Sequence, residues 1–259
     1  MTDANANTTD NLVVQCMLRH ADDRLVLGHR LSEWCGHGPI LEEDIALSNI
    51  ALDLVGQAQF MLELAGKLEG KGRTADDLAF LRDVIAYRNL LLCEQPNGDF
   101  AVTIARQFMF DAWSVPMLQG MAGSRHEGVA AIAAKALKED QYHLRHSRQW
   151  VLRLGDGTDE SHRRMQAAFD DLWMFSGELF MADDVDDAIA AQGIAPGVAT
   201  VRDAWTATVE STLKEATLTL PDSLQYMIDG GRRGRHTEHL GHMLDVMQIL
   251  PRSHPGASW

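Results

Sequence analysis

Apolar positions along this chain recur at helical spacing, and runs that alternate with period two are almost absent. In one long stretch Ile45, Leu52, Val55, Met61, Leu62 and Ala65 fall near the 3.6-residue repeat. Breakers cut the pattern into helices. The first is expected from about Asn11 to Cys35, stopping at Gly36-His-Gly38-Pro39. The second runs from Leu41 to about Leu68 and is ended by Gly66, Gly70 and Gly72. A shorter helix is expected over Thr74–Leu92, with Asp76 and Asp77 in its favourable first turn. After the loop Glu94-Gln-Pro-Asn-Gly-Asp99, Asp99 is placed to cap a fourth helix that reaches about Ala122 and kinks at Pro116. Further helices are expected at Glu127–Leu154, Asp159–Met181, Val185–Gln192 and Ala199–Leu218. An irregular segment follows Pro221, and a last helix, Thr237–Leu250, is halted by Pro251. No linker divides the pattern, so residues 11–259 read as a single helical domain behind a disordered tail, residues 1–10.

Composition agrees with an all-α class: Ala, Leu, Met, Glu and Gln abound, with 46% apolar and 23% charged residues. The net charge of −14, from 23 basic and 37 acidic residues, repels phosphate backbones and speaks against nucleic acid. Cys16, Cys35 and Cys93 are odd in number and widely spaced, as expected of reduced thiols in a cytoplasmic protein. The polar opening TDANANTTDN is not a signal peptide. No apolar run approaches the roughly 20 residues that cross a bilayer, so a membrane is not expected as a partner.

Two helical pairs share a layout. Helices 1 and 2, like helices 4 and 5, are long, joined by a short turn and hence antiparallel neighbours. Asp23 and Asp53 stand 30 apart around the first turn, and Asp111 and Asp140 stand 29 apart around the second. Such spacing puts the four acids at similar depth, the plan of a ferritin-like four-helix bundle with extra C-terminal helices. A carboxylate-bridged di-iron site in that fold asks for a Glu from each of two helices and Glu-x-x-His from the other two. Asp140-Gln-Tyr-His143 is a near match with a short acid. Asp53-Leu-Val-Gly56 has glycine where the second imidazole is needed. Asp23 and Asp111 are also one methylene short, and Glu139 or Glu33 restores no second motif. The expected centre is a buried polar relic at Asp23, Asp53, Gly56, Asp111, Asp140 and His143. No catalytic residue, cofactor-binding residue or metal ligand is assigned. Buried acids need partners, expected in Lys138, Arg30 or His143.

His236-Thr-Glu-His239-Leu-Gly-His242 looks like a zinc motif but lacks a further ligand set, and reads as a helix start capped by Thr237 or His236. Gly230-Gly-Arg-Arg-Gly-Arg235 offers three mobile guanidiniums and exposed backbone N–H groups to an anion, so Arg232, Arg233 and Arg235 are candidate contacts for an acidic partner or an anionic cofactor. It is not a P-loop.

Glu33-Trp-Cys-Gly-His-Gly-Pro39, Leu41-Glu-Glu-Asp-Ile-Ala-Leu47, Asn49 through Gln57, Glu94 through Asp99, Lys138 through His146 and Thr237 through Gly241 together resemble the C-type subunits of bacterial phenylacetyl-CoA epoxidases, over about residue 20 to Trp259. The resemblance implies a ferritin-like, cytoplasmic component of a multicomponent oxygenase for aromatic degradation. It implies that this chain is a structural, non-catalytic partner without its own cofactor. The di-iron would belong to a homologous catalytic subunit that pairs with it, and further subunits would complete the complex. The rival readings are a di-iron oxygenase in its own right and a homo-oligomeric ferritin-like binding protein.

Overall fold

The computed structural model describes residues 2–221 and 226–257, with side chains from residue 8 onward. Part of the irregular segment expected after Pro221 therefore lies outside the described residues. In chain order the helices are α1 (Thr2–Ser32), α2 (Leu41–Glu69), α3 (Ala75–Phe80), α4 (Leu91–Glu94), α5 (Phe100–Met121) and α6 (Glu127–Gly155). They continue with α7 (Asp159–Leu172), α8 (Asp184–Ala191), α9 (Arg202–Glu215), α10 (Glu238–Met247) and α11 (Ile249–Ser253). No strand occurs among the described residues.

The bundle is made by α1, α2, α5 and α6. Hairpin α1–α2 and hairpin α5–α6 each pack tightly, α2 also touches α6, and α1 faces α5 through side chains. His20 of α1 stacks on Trp113 of α5 with ring centroids 5.7 Å apart, and the Trp34 indole N–H donates to Thr103 Oγ1 at 3.0 Å. Helices α7 and α9 cover α5 and α6, while α8 covers α1. This leaves α1 and α5 buried on nearly every side; α5 is apolar around most of its circumference, whereas α1 carries Arg19, Asp22, Asp23, Arg24 and Arg30 into the interior. Pro116 lies inside α5, as expected, and Asp99 caps that helix by accepting from Val102 N–H at 3.1 Å.

Four expectations need correction. Helix α1 reaches back to Thr2, into the stretch read as a disordered tail. The helix expected over Thr74–Leu92 breaks into α3, a 3-10 turn at Val84–Ala86, an extended piece and α4. The acids of α1 cause the break, as described below. The sixth helix stops at Leu172 and continues as 3-10 turns, because Met174 gives its carbonyl to Ile228 N–H at 2.9 Å. Pro251 sits within α11 instead of ending a helix; in the first turn its missing N–H leaves no bond unmade. In addition, α2 is long and apolar enough, by length and composition alone, to cross a membrane.

Candidate functional site

Helix α6 carries Asp140, His143 and Ser147 at i, i+3 and i+7, one face, and all three are fully buried at the bundle centre. Facing them, α5 brings Gln107, Asp111 and Ser114 at i, i+4 and i+7. Helix α2 brings Gln57 with Asp53 at the rim, and α1 brings Arg24. The Arg24 guanidinium donates to Gln57 Oε1 at 2.8 Å, Ser114 Oγ at 2.7 Å and the His20 carbonyl at 3.2 Å. Its Nη2 lies 3.6 Å from Asp140 Oδ2. Asp140 itself accepts from Ser114 Oγ at 2.6 Å and Gln57 Nε2 at 2.9 Å. A cation and a carboxylate thus share one buried pocket, bridged by a hydroxyl and an amide.

One turn away, Asp111 accepts from Gln107 Nε2 at 2.7 Å and Ser147 Oγ at 2.8 Å. Burial pushes its pKa up to about 7; the charge of His143 opposes this and that of Asp140 adds to it. His143 Nε2 lies 3.1 Å from Asp53 Oδ2, and its Nδ1 has no hydrogen-bond partner. Burial works against a charged His143, but the Asp53 hydrogen bond and the nearby Asp140 and Asp111 outweigh it and raise its pKa. His20, buried beside Arg24, is pushed well below its ordinary value and stays neutral.

This donor set does not fit a carboxylate-bridged di-metal centre. A fixed guanidinium stands beside Asp140, where such a centre would need room for cations. Asp111 is wrapped by two donors, and Gly56 contributes no ligand. Among the described residues no three His, Cys, Asp or Glu converge as ligands. Asp23 is not at this centre at all. Successive helical residues are about 100° apart, so when Arg24 points inward Asp23 points to the other flank. The neutralising partners are likewise different from those expected. Lys138 is exposed, and Arg30 serves Glu33, the Glu94 carbonyl and the His239 carbonyl. Only His143 plays its expected part.

Asp23 meets the C-terminal loop. Arg232 donates to both its oxygens, at 3.0 and 2.8 Å, and also to the Arg19 and Arg88 carbonyls. Leu90 N–H adds a third bond at 2.7 Å. Burial alone would push the Arg232 pKa down, but Asp23 outweighs it and holds the guanidinium charged. Arg232, its side chain 12% exposed, is therefore an internal partner and not an available contact, which corrects the first of the three arginine assignments. Arg233 is half exposed and paired with Asp229 at 2.7 Å, and Arg235 is exposed.

The glycines also have an internal purpose. Gly230 and Gly231 N–H both donate to Glu178 Oε1, at 2.9 and 2.8 Å, while Leu91 N–H donates to Glu178 Oε2 at 2.7 Å. A Cβ on Gly231 would lie 2.0 Å from the Asn89 carbonyl oxygen, and Gly234 needs its left-handed φ of 73°. The loop does bind a carboxylate, but the carboxylate is its own. His236 pairs with buried Glu94 at 2.9 Å, and Thr237 N–H donates to Glu94 Oε1 at 2.6 Å. The expected side-chain cap at Thr237 is not formed.

Sequence reasoning missed Arg24, Gln57, Ser114, Glu94 and Glu178. Gln57 and Ser114 lie one turn from Asp53 and Asp111, and Arg24 lies beside Asp23; an inward polar face drawn one residue wider would have included them. Glu94 and Glu178 have no such local signal.

The family model described as phenylacetic acid catabolic protein matches residues 1–259. The chain is 52% identical over 249 residues, 96% of its own length and 100% of the relative's, to the Escherichia coli (strain K12) protein named as the C-type subunit of 1,2-phenylacetyl-CoA epoxidase.

Proposed function

The chain belongs to the phenylacetic acid catabolic protein family, and from that premise we propose that it is the structural, non-catalytic subunit of a phenylacetyl-CoA epoxidase. In this reading it pairs with a homologous ferritin-like subunit that holds the di-iron, and supports that subunit's bundle while holding no iron itself. One observation carries the reading. Arg24, with its guanidinium hydrogen-bonded to Gln57 and Ser114 and 3.6 Å from Asp140, supplies from the protein itself the positive charge that metal ions would supply in an oxygenase. Arg233 and Arg235, both accessible, keep the contact role for the partner or an acyl-CoA that Arg232 has lost.

The test is metal content and turnover. The purified chain, loaded with ferrous iron and desalted, is expected to retain well under one iron per chain and to leave phenylacetyl-CoA unchanged with a reductase alone. Co-expressed with the catalytic subunit, it should co-purify with it at a fixed ratio. Two tightly held irons per chain, with epoxidation by this chain alone, would instead establish an oxygenase in its own right.

A further inference from the structure

His236 lies between the Gly230–Arg235 loop and α10, with its side chain only 1% exposed. Both of its ring nitrogens face acceptors. Nδ1 is 2.9 Å from Glu94 Oε2, and Nε2 is 3.1 Å from the Tyr87 carbonyl oxygen. Neither a carbonyl nor an ionised carboxylate has a proton to give to the ring. A neutral imidazole offers one N–H and one lone pair, so it answers one of these oxygens and turns its lone pair on the other. The imidazolium donates to both.

The carboxylate calls for the same charge. Glu94 is fully buried, and among the described residues its only ion pair is with His236. Its other contacts are neutral donors, the Thr237 N–H at 2.6 Å on Oε1 and Asn89 Nδ2 at 2.9 Å on Oε2. The remaining charged groups around the pair are engaged elsewhere. Arg30 donates to the Glu94 carbonyl and to Glu33, Arg88 to the Tyr87 and Ile85 carbonyls, and Arg106 to the Gln95 carbonyl and Asn97. Arg232 is closed on Asp23, and Glu178 on the N–H groups of Leu91, Gly230 and Gly231. Burial keeps the Cys93 thiol neutral. On the segment of His236 itself, Arg235 and Glu238 are exposed and of opposite sign.

We propose that His236 is a proton-operated clasp: as imidazolium it ties the loop and the start of α10 to Glu94 and Tyr87, and on losing its proton it lets that segment open. Folding then retains a proton that a free histidine gives up near pH 6.5. The stability it contributes is complete below that pH and is lost as pH rises through the point where the folded ring deprotonates. The neutral ring either sets a lone pair against Glu94 or leaves the Tyr87 carbonyl unanswered, and both outcomes remove a buried hydrogen bond. The segment so released carries the accessible Arg233 and Arg235.

The first measurement is a long-range proton–nitrogen NMR spectrum of the full-length chain labelled on histidine, at pH 7.5. Both His236 nitrogens should be protonated, while exposed His254 serves as a neutral reference. Loss of the signals in His236→Gln assigns them. A neutral His236 ring at pH 7.5 overturns the proposal. The second measurement is amide exchange by mass spectrometry, corrected for the chemical rate, between pH 7.5 and 9.5. Protection of α10 in the wild-type chain should fall about tenfold more than that of α6, the equivalent of one buried hydrogen bond. In Glu94→Gln, where no buried carboxylate calls for the imidazolium, the two helices should change together. The wild-type pH dependence surviving in that variant would assign the titration to another group and overturn the clasp. Equal loss in α10 and α6 of the wild-type chain overturns it even if neither variant folds.

Discussion

Two buried carboxylates, Asp23 and Asp140, are each set beside an arginine, and they are held very differently. Asp23 receives both arms of Arg232 and a backbone N–H, all within 3.0 Å. Asp140 is bonded to Ser114 and Gln57, with Arg24 standing off at 3.6 Å. The first is a closed fastening between the loop and α1. The second belongs to a looser pocket in which His143 Nδ1 stands 3.6 Å from Asp140 Oδ1 without a hydrogen bond and Asp111 titrates near neutrality. Burial with a nearby cation is common to both, so neither property by itself marks a reactive centre. What separates them is how completely the protein has satisfied the acid.

That contrast can be broken most directly at Arg232. Arg232→Met leaves Asp23 buried with only Leu90 N–H, and removal of one partner from a buried pair costs about 3–5 kcal/mol. The urea midpoint should fall accordingly, and amide exchange in the loop should speed up. A loss under about 1 kcal/mol would show that the fastening is not what holds the loop. At the bundle centre Arg24→Met alone should cost less, about 2–3 kcal/mol, since Ser114 and Gln57 still serve Asp140. Adding Asp140→Leu should recover most of that loss, because a buried pair exchanged for apolar groups of similar size is often neutral. A double variant no more stable than the single one would mean that the pair is worth more than its desolvation.

A subtler distinction lies in pH. Asp111 has a pKa of about 7 in the fold and an ordinary value near 4 when unfolded. The native state therefore keeps a proton that the unfolded chain releases. The resulting stability is fully present below about pH 4 and is lost as pH rises to about 7. His143, raised above its ordinary value of about 6.5, acts in the same direction, its contribution being lost as pH rises above that value. Between pH 5 and 7.5 the wild-type chain should lose roughly 2 kcal/mol more than Asp111→Asn, by denaturant titration. Parallel profiles for the two would place the titration elsewhere.

Much of the bundle could be read from the chain because the signals are local. The α2 start at Leu41, the Asp99 cap and the α6 start at Glu127 are all encoded by residues within a turn of the boundary. The segment from Thr74 to Leu92 failed for the opposite reason. Asp22 on α1 takes Arg88 N–H at 2.8 Å and pairs with Arg82, while Asp23 takes Leu90 N–H at 2.7 Å. These distant acids capture N–H groups that a helix would have used, and nothing between Thr74 and Leu92 announces it. The candidate site was half legible. Spacing brought Asp111, Asp140 and His143 together correctly, but it could not fix the rotation of α1. A turn of about 100° exchanged Asp23 for Arg24, an acid for a base, at the decisive position.

The fastening of α1 by residue 232 also imposes an order on folding. Asp23 and Arg232 are separated by 209 residues. At ordinary elongation rates the first leaves the ribosome roughly 10–40 s before the second. For that interval the earliest helix holds an acid with no counter-charge, and its native seat cannot close. The final thirty residues thus act as a latch on a nascent chain, and a chain arrested before residue 230 should show α1 open to protease. Protection of α1 in such a chain would mean that the latch engages a helix already seated.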